Sequence, residues 1–473
     1  MSTIERSPYL DGNYAPVQTE IVAEDLRVTW GRLPEDLAGM FVRTGSNPHY
    51  EPPGKYHWFD GDGMLHAISL RDGRATYRNR YVRTKGLEED IAAGRALRAG
   101  IMERPDLGHP DGPWKDTANT DLVFHNGRLL ALWWLSGSAH QIRLPDLETV
   151  GTWDFEGTLR CNMGAHAKVD PLSGEMSFID YGPLPPYLRY GVVSADGRVE
   201  HLTSIELPGF RLQHDIALTE RHAVLFDMSM TWDPEALRAG RAKLEFFREQ
   251  PSRIGLIPRH GRGSEIRWFE VAPFFMYHTI SAWEEGDDVV LIGCRIADPT
   301  ASAAAGAVGR PAPLLGNLRI APCLHEWRLN LRSGAVRETQ LDDRLAEFPR
   351  INDARIGTRA RYSYHGRFAA TPTLLFDGIV KYDLLTGAVD ELDYPAGWYG
   401  GEPSFAAAIG GTDEDDGYLL TFAAEEATGS SELYVIDAGT LAVAARIAIP
   451  QRVPTGYHTR WIGQEELLAA GGE

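Results

Sequence analysis

Short runs of this chain alternate apolar and polar residues with a period of two, break at a turn of Asp, Ser or Thr with Gly, and then resume the alternation. The stretches "HAISLRDGRATY", "HAKVDPLSGEMSFI", "GVVSADGRVEHL", "HEWRLNLRSGAVRETQL", "VKYDLLTGAVDEL" and "LYVIDAGTLAVAARI" repeat this unit, and "HQIRLPDLETVGTW" is a looser seventh case. A period of two sends alternate side chains to opposite faces of a strand, and the turn Gly tolerates positive φ. Each unit therefore predicts an antiparallel hairpin. The units run over the whole length without a linker, which predicts one all-β radial structure, a β-propeller that leaves few exposed sheet edges. Residues 205–320 must supply strands with weaker turn signals.

Helical periodicity is rare. "LEEDIAAGRALRAGIME" (residues 87–103) and "DPEALRAGRAKLEFF" (residues 233–247) carry apolar residues at helical spacing, the second opening on Asp233 and Pro234. "DPTASAAAGAVGRPAPLLGNLRIAP" (residues 298–322) is rich in Ala, Gly and Pro and reads as a long loop. These three segments are expected to be insertions capping one face of a single propeller domain spanning residues 1–473, and loops on one face are where sites form.

Composition narrows the function classes. With 43% hydrophobic residues the 473-residue chain can bury a large core, yet no run reaches the roughly 18–20 apolar residues of a membrane span. "MSTIERSPYLDGNYAPV" has neither a basic nor an apolar leader region, so a cytoplasmic protein is expected. A formal charge of −19 argues against nucleic acid, which requires clustered Lys and Arg. The acidic residues are dispersed, as on a solvated surface. Cys161, Cys294 and Cys323 are isolated from one another, so no thiolate zinc motif exists and any metal must be held by His and carboxylate.

Of fifteen histidines, four share a setting: His166 in "MGAHAKVD", His214 in "RLQHDIALTE", His278 in "FMYHTISAWEE" and His458 in "TGYHTRWI". Each stands at or beside a β-run among small or apolar residues. A buried neutral imidazole needs both nitrogens satisfied, and a metal is one way to do it; an ordinary core hydrogen bond is the other. Their wide spacing assigns them to different blades, from which all can face one axis. Glu347 in "LAEFPRI" and Glu402 in "YGGEPSF" sit among residues typical of burial. They either hold imidazole N–H groups from behind or cap turns at the surface.

Long blocks in a fixed order then carry a resemblance. "SPYLDGNYAPV", "LPEDLAGMFVRTGSNP", "YHWFDGDGMLHAISL", "TANTDLVFHNGRLLAL", "EFPRINDARIGTRARY", "GGEPSF", "EDDGYLLTF" and "RVPTGYHTRWI" make nearly the whole chain resemble the carotenoid cleavage oxygenases. This non-haem iron family includes apocarotenoid oxygenases, stilbene-cleaving dioxygenases and retinoid isomerases. The resemblance implies a seven-bladed propeller with a helical and loop cap. It implies one Fe(II) per chain on the axis, held by His166, His214, His278 and His458, with Glu347 and Glu402 steadying ligand histidines. Neutral nitrogen donors suit Fe(II) and leave positions open for O2.

Two positions depart from the family pattern. Trp134 stands where a third supporting Glu is usual, and Trp133 where stilbene-cleaving members carry a Lys. The expected reaction is scission of a carotenoid or apocarotenoid C=C bond by O2 into two carbonyl products, without a protein nucleophile or obligate protein partner. The same chemistry on aryl alkenes, a retinoid-type reaction and a metal-free binding scaffold are the competing readings. Trp58, Phe59, Trp133, Trp134, Phe275 and Trp398 are the candidate walls of an apolar substrate tunnel. The apolar residues of the insertions, residues 233–247 especially, would form an entrance able to touch a membrane surface.

Overall fold

The computed structural model describes residues 7–233, 235–236, 239, 243–300 and 312–471. Seven antiparallel sheets of four or more strands are arranged radially as the blades of a propeller. The strands nearest the axis are, from blade 1 to blade 7, Thr459–Gly463, Asp121–His125, Lys168–Val169, Ala217–Leu218, Phe275–Glu285, Ala346–Arg350 and Ser404–Ala407. Outer strands alternate as the sequence does: Arg74–Tyr81 and Val199–Ile205 turn every second side chain inward. Middle strands such as Gly39–Ser46 are buried on both faces, because each is packed between two neighbouring blades.

The ring closes with strands from the two ends of the chain. Thr459–Gly463 pairs with Gly39–Ser46, Gly39 opposite Gly463 and Arg43 opposite Thr459, and so becomes the innermost strand of blade 1. Val28–Gly31 pairs with Val443–Ile449 and becomes the outermost strand of blade 7. The contact between these two blades is sealed by Phe41 and Phe422, both buried, with ring centroids 5.1 Å apart.

All seven hairpins read from the sequence form, four of them as the outer strand pair of a blade. Blade 4, assembled from residues 217–271, contributes none of them, in line with its weaker turn signals. Three expectations about the cap need correction. The helix expected over 87–103 spans only Lys85–Ala93. It is capped by the Thr84 side chain and ended by Gly94 at φ 66°, after which Asp90 accepts a hydrogen bond from the Leu97 N–H and turns the chain back. At the end of 233–247, Leu244–Phe246 is a strand paired with Met230–Trp232, since "LEF" alternates against a ready partner edge. Within 298–322, Leu314–Leu315 and Leu318–Arg319 form a small hairpin, while residues 301–311 lie outside the described residues, as does much of 234–242. No helix among the described residues is long and apolar enough to cross a membrane.

Phe41 fills the seam where the ring closes. Phe41→Ala leaves a cavity there and is expected to cost about 3–5 kcal/mol, read as a lowered denaturant midpoint.

Candidate metal centre

Each blade brings one chemically distinctive residue to the axis at or near the beginning of its innermost strand. In order around the ring these are His458, Asp121, His166, His214, His278, Glu347 and Glu402, all buried. The four histidines converge so that one ligand atom from each lies within 4.8 Å of all the others. Ring centroids are 4.5 Å apart for His166 and His214, 4.6 Å for His166 and His458, and 4.7 Å for His278 and His458.

Carboxylates fix this arrangement from behind. Glu347 Oε2 lies 2.6 Å from His278 Nδ1, and Glu402 Oε1 lies 2.8 Å from His458 Nδ1. An ionised carboxylate only accepts, so each Nδ1 carries the proton and each Nε2 presents a lone pair. A second set of bonds ties blade to blade. Glu402 Oε2 accepts from the N–H and hydroxyl of Thr459, at 2.5 and 2.6 Å. Asp215 Oδ2 accepts from the N–H and hydroxyl of Thr279, both at 2.8 Å, next to His278. Asp121 Oδ2 accepts from the His166 N–H at 2.9 Å. His166 has φ 65°, a left-handed conformation uncommon outside Gly, and the Asp121 bond holds it there.

The donor set suits a metal ion. His278 Nε2 and His458 Nε2 approach to 3.1 Å, and with both Nδ1 protons committed to carboxylates, two lone pairs face each other unless a cation lies between them. His166 Nε2 is buried without any partner. Burial first, then the neighbouring imidazoles, holds His166 and His214 far below the ordinary imidazole pKa, so both stay neutral. Burial also opposes charge on His278, but Glu347 outweighs it and raises that pKa. For Glu402 burial favours the neutral acid, yet His458 and Arg350 win and hold its pKa at about 2. Four imidazole nitrogens with no thiolate or carboxylate among them match a borderline divalent ion such as Fe(II) or Co(II), not Ca(II) or Mg(II).

The structure brings together all four histidines and both glutamates singled out in the sequence. Asp121 and Asp215 escaped that reading, although a charged residue opening an apolar run, as in "TDLVF", carries the same signal as "GGEPSF". Trp134 packs on Phe59 at 5.3 Å, and its buried indole N–H has no partner. An indole can only donate, so it cannot accept an imidazole N–H as a carboxylate would. Among the described residues no carboxylate bonds the His214 ring, which instead meets the edge of Tyr277 at 4.8 Å.

Two cavities reach the cluster from opposite sides. On the cap side, Trp58, Phe59, Tyr277, Phe348, Tyr457 and Leu315 are among the walls of an apolar space of about 30 Å³ against His214, His278 and His458. Phe59 also borders a second small space that Trp133 lines. Phe275 is fully buried behind Tyr277, at 4.8 Å. Trp398 lies elsewhere, half-buried against Tyr434 and bordering neither space, because its ring packs into the cluster between blades 6 and 7 that holds Tyr364, Ile379 and Phe405. Tyr277, Phe348 and Tyr457 are wall residues that the sequence reading did not select. On the other side a wider polar cavity follows the propeller axis.

Known proteins share this architecture. The family model described as "Retinal pigment epithelial membrane protein" matches residues 14–463. A carotenoid 9,10(9',10')-cleavage dioxygenase of Crocus sativus is 36% identical over 97% of this chain and 90% of its own length. A carotenoid cleavage oxygenase of Mycobacterium tuberculosis is 33% identical over 96% of this chain and 97% of its own. Among solved structures, the lignostilbene dioxygenase of Pseudomonas brassicacearum superposes with a TM-score of 0.86 at 29% identity, covering 98% of this chain and 99% of that one. A cobalt-substituted Synechocystis apocarotenoid oxygenase gives 0.82 at 26% identity, covering 95% and 97%.

Removing a carboxylate behind an imidazole should loosen the metal it orients. Glu402→Ala is expected to weaken Fe(II) or Co(II) binding by about 10- to 100-fold in competition with a chelator. Asp121→Ala, which frees the strained His166 backbone, should act in the same direction; unchanged affinity in both would show that these carboxylates do not position the cluster.

Proposed function

The chain belongs to the carotenoid cleavage oxygenase family and is an oxidoreductase of the dioxygenase class, and on that premise we propose that it splits one C=C bond of a carotenoid or apocarotenoid with O2, at an Fe(II) held by His166, His214, His278 and His458. The observation that carries this reading is the buried meeting of four imidazoles, two of them held by carboxylates, directly under an apolar space. Bound there, Fe(II) would supply the redox-active centre and open coordination positions that let triplet O2 react with a singlet alkene. Both bonds of the C=C break and one oxygen atom ends on each carbon, so no external reductant is required.

The protein's own part is to orient, to exclude water and to choose the bond. Glu347 and Glu402 keep the Nδ1 protons of His278 and His458 in place throughout, so the chain itself moves no proton. Trp58, Phe59, Tyr277, Phe348 and Tyr457 present ring faces and edges to a polyene, and among the described residues Thr120 is the one hydroxyl side chain in the walls besides the two tyrosines. The space is small in this state, and taking up a long alkene requires side chains such as Phe59 to swing aside. Leu97, Leu107 and Leu314 are exposed on cap segments whose neighbours Ile101 and Leu315 border the two spaces. That placement supports delivery of a lipid-soluble substrate from a membrane surface.

An aryl-alkene substrate is favoured by the likeness to the lignostilbene dioxygenase. The residues weigh against it, because Trp133 offers no cation to a phenol oxygen. Of the two lysines bordering the space beside Phe59, Lys115 is already paired with Asp62 and Asp90, and Lys55 is exposed to solvent.

Anaerobic loading with Fe(II), followed by O2 and a panel of a long carotenoid, an apocarotenal and a hydroxystilbene, tests the choice. Aldehydes from the carotenoid or apocarotenal are expected by mass spectrometry; aldehydes from the stilbene alone would overturn the substrate assignment. His278→Ala should abolish both turnover and iron retention, and a variant that keeps its iron would remove His278 from the ligand set.

A further inference from the structure

The axial cavity has a chemistry unlike the cap-side space. It holds about 360 Å³ and reaches from His166, His278 and His458 to exposed residues at the far face. Residues preceding the innermost strands, such as Thr120 and Tyr457, border the apolar space, whereas residues following the histidines along those strands, such as Lys168, Thr279 and Arg460, border the channel. The cluster therefore divides an apolar compartment from one whose walls mix charged and aliphatic side chains.

Charged side chains line the channel along its length. Asp121, Asp215 and Glu402 lie beside the histidines, and Asp353 and Glu466 lie toward the opening. Two of the basic groups are paired within it, Lys168 with Asp215 at 2.8 Å and Arg460 with Asp353 and Glu466, while Arg355 at the opening pairs with Glu414 outside it at 3.1 Å. Arg350 stands 3.5 Å from Asp353. A hydrated divalent ion would lose most of its solvation in the apolar space, at a cost of many kcal/mol, while charged walls and water can replace that solvation in the channel.

We infer that the axial channel is the route by which a hydrated divalent metal ion reaches and leaves the four-histidine cluster, separate from the route of the alkene. This rests on the reading of the histidines as metal ligands. A residue at the opening that bonds neither the cluster nor its carboxylates then controls the rate of metal exchange without altering affinity. Ala354 is such a residue: exposed, lining the channel, on the short turn Asp353–Arg355.

The test follows uptake of Co(II) by metal-free full-length protein through its visible absorption, and release through chelator challenge, with final metal content measured directly. Ala354→Trp should slow uptake and release by the same factor, leaving the final content unchanged. Ala354→Lys should slow uptake and Ala354→Glu speed it, each by about fivefold at low salt for one charge some 8 Å from a dication, and both effects should shrink at high salt. Leu315→Phe, which narrows the cap-side space, should leave the uptake rate alone. Wild-type rates in all three Ala354 variants with full final content, or slowed uptake in Leu315→Phe, would overturn the route. Failure of the unaltered protein to take up metal at all would instead overturn the ligand assignment itself.

Discussion

Lone pairs repel, and this protein forces them together. His278 and His458 present unprotonated Nε2 atoms to each other at 3.1 Å because Glu347 and Glu402 occupy the opposite side of each ring. Much of the geometry near the axis exists to sustain that unfavourable meeting. Buried carboxylates must be paired to be tolerated, and here each is paired with an imidazole, a backbone amide or a lysine. Seven blades supply the seven positions from which four imidazoles and three carboxylates can face one axis without any of them being neighbours in sequence.

The carboxylates do two kinds of work that mutation would separate. Glu347 acts on an imidazole ring, Asp121 and Asp215 act on the backbone of the next ligand-bearing strand, and Glu402 does both. Among the described residues no carboxylate bonds the His214 ring, so its orientation is left to packing against Tyr277. His166 shows the dependence most directly, since its left-handed backbone is held by the Asp121 carboxylate.

Much of this was legible in the sequence, and the reasons differ by element. Hairpins announced themselves because alternation and a Gly turn are local signals. The histidines were legible because an imidazole inside an apolar strand context is costly without a partner, and His166, His214, His278 and His458 shared that context. Asp121 was missed because an aspartate before an apolar strand also reads as an ordinary turn residue. The helix over 87–103 was overextended because Ala and Arg favour helix while Gly94 and the Asp90 bond to Leu97 end it, and only the second is a three-dimensional fact. Trp398 had the look of a tunnel aromatic, but which side of a blade a half-buried ring faces is set by strand pairing, not by its neighbours in sequence.

Closure of the ring by Gly39–Ser46 with Thr459–Gly463 joins segments from opposite ends of the chain. Contacts of such long range are the slow ones in folding, since loop closure must precede the interactions that reward it. His458 sits beside that closing strand, so the fourth imidazole reaches the axis only when the circle is complete. A bound ion would then bridge blades 1, 3, 4 and 5 and stabilise the closed ring over any opened form by mass action. Metal occupancy and global unfolding would thereby be linked: an ion at the axis would act as a clasp for the propeller.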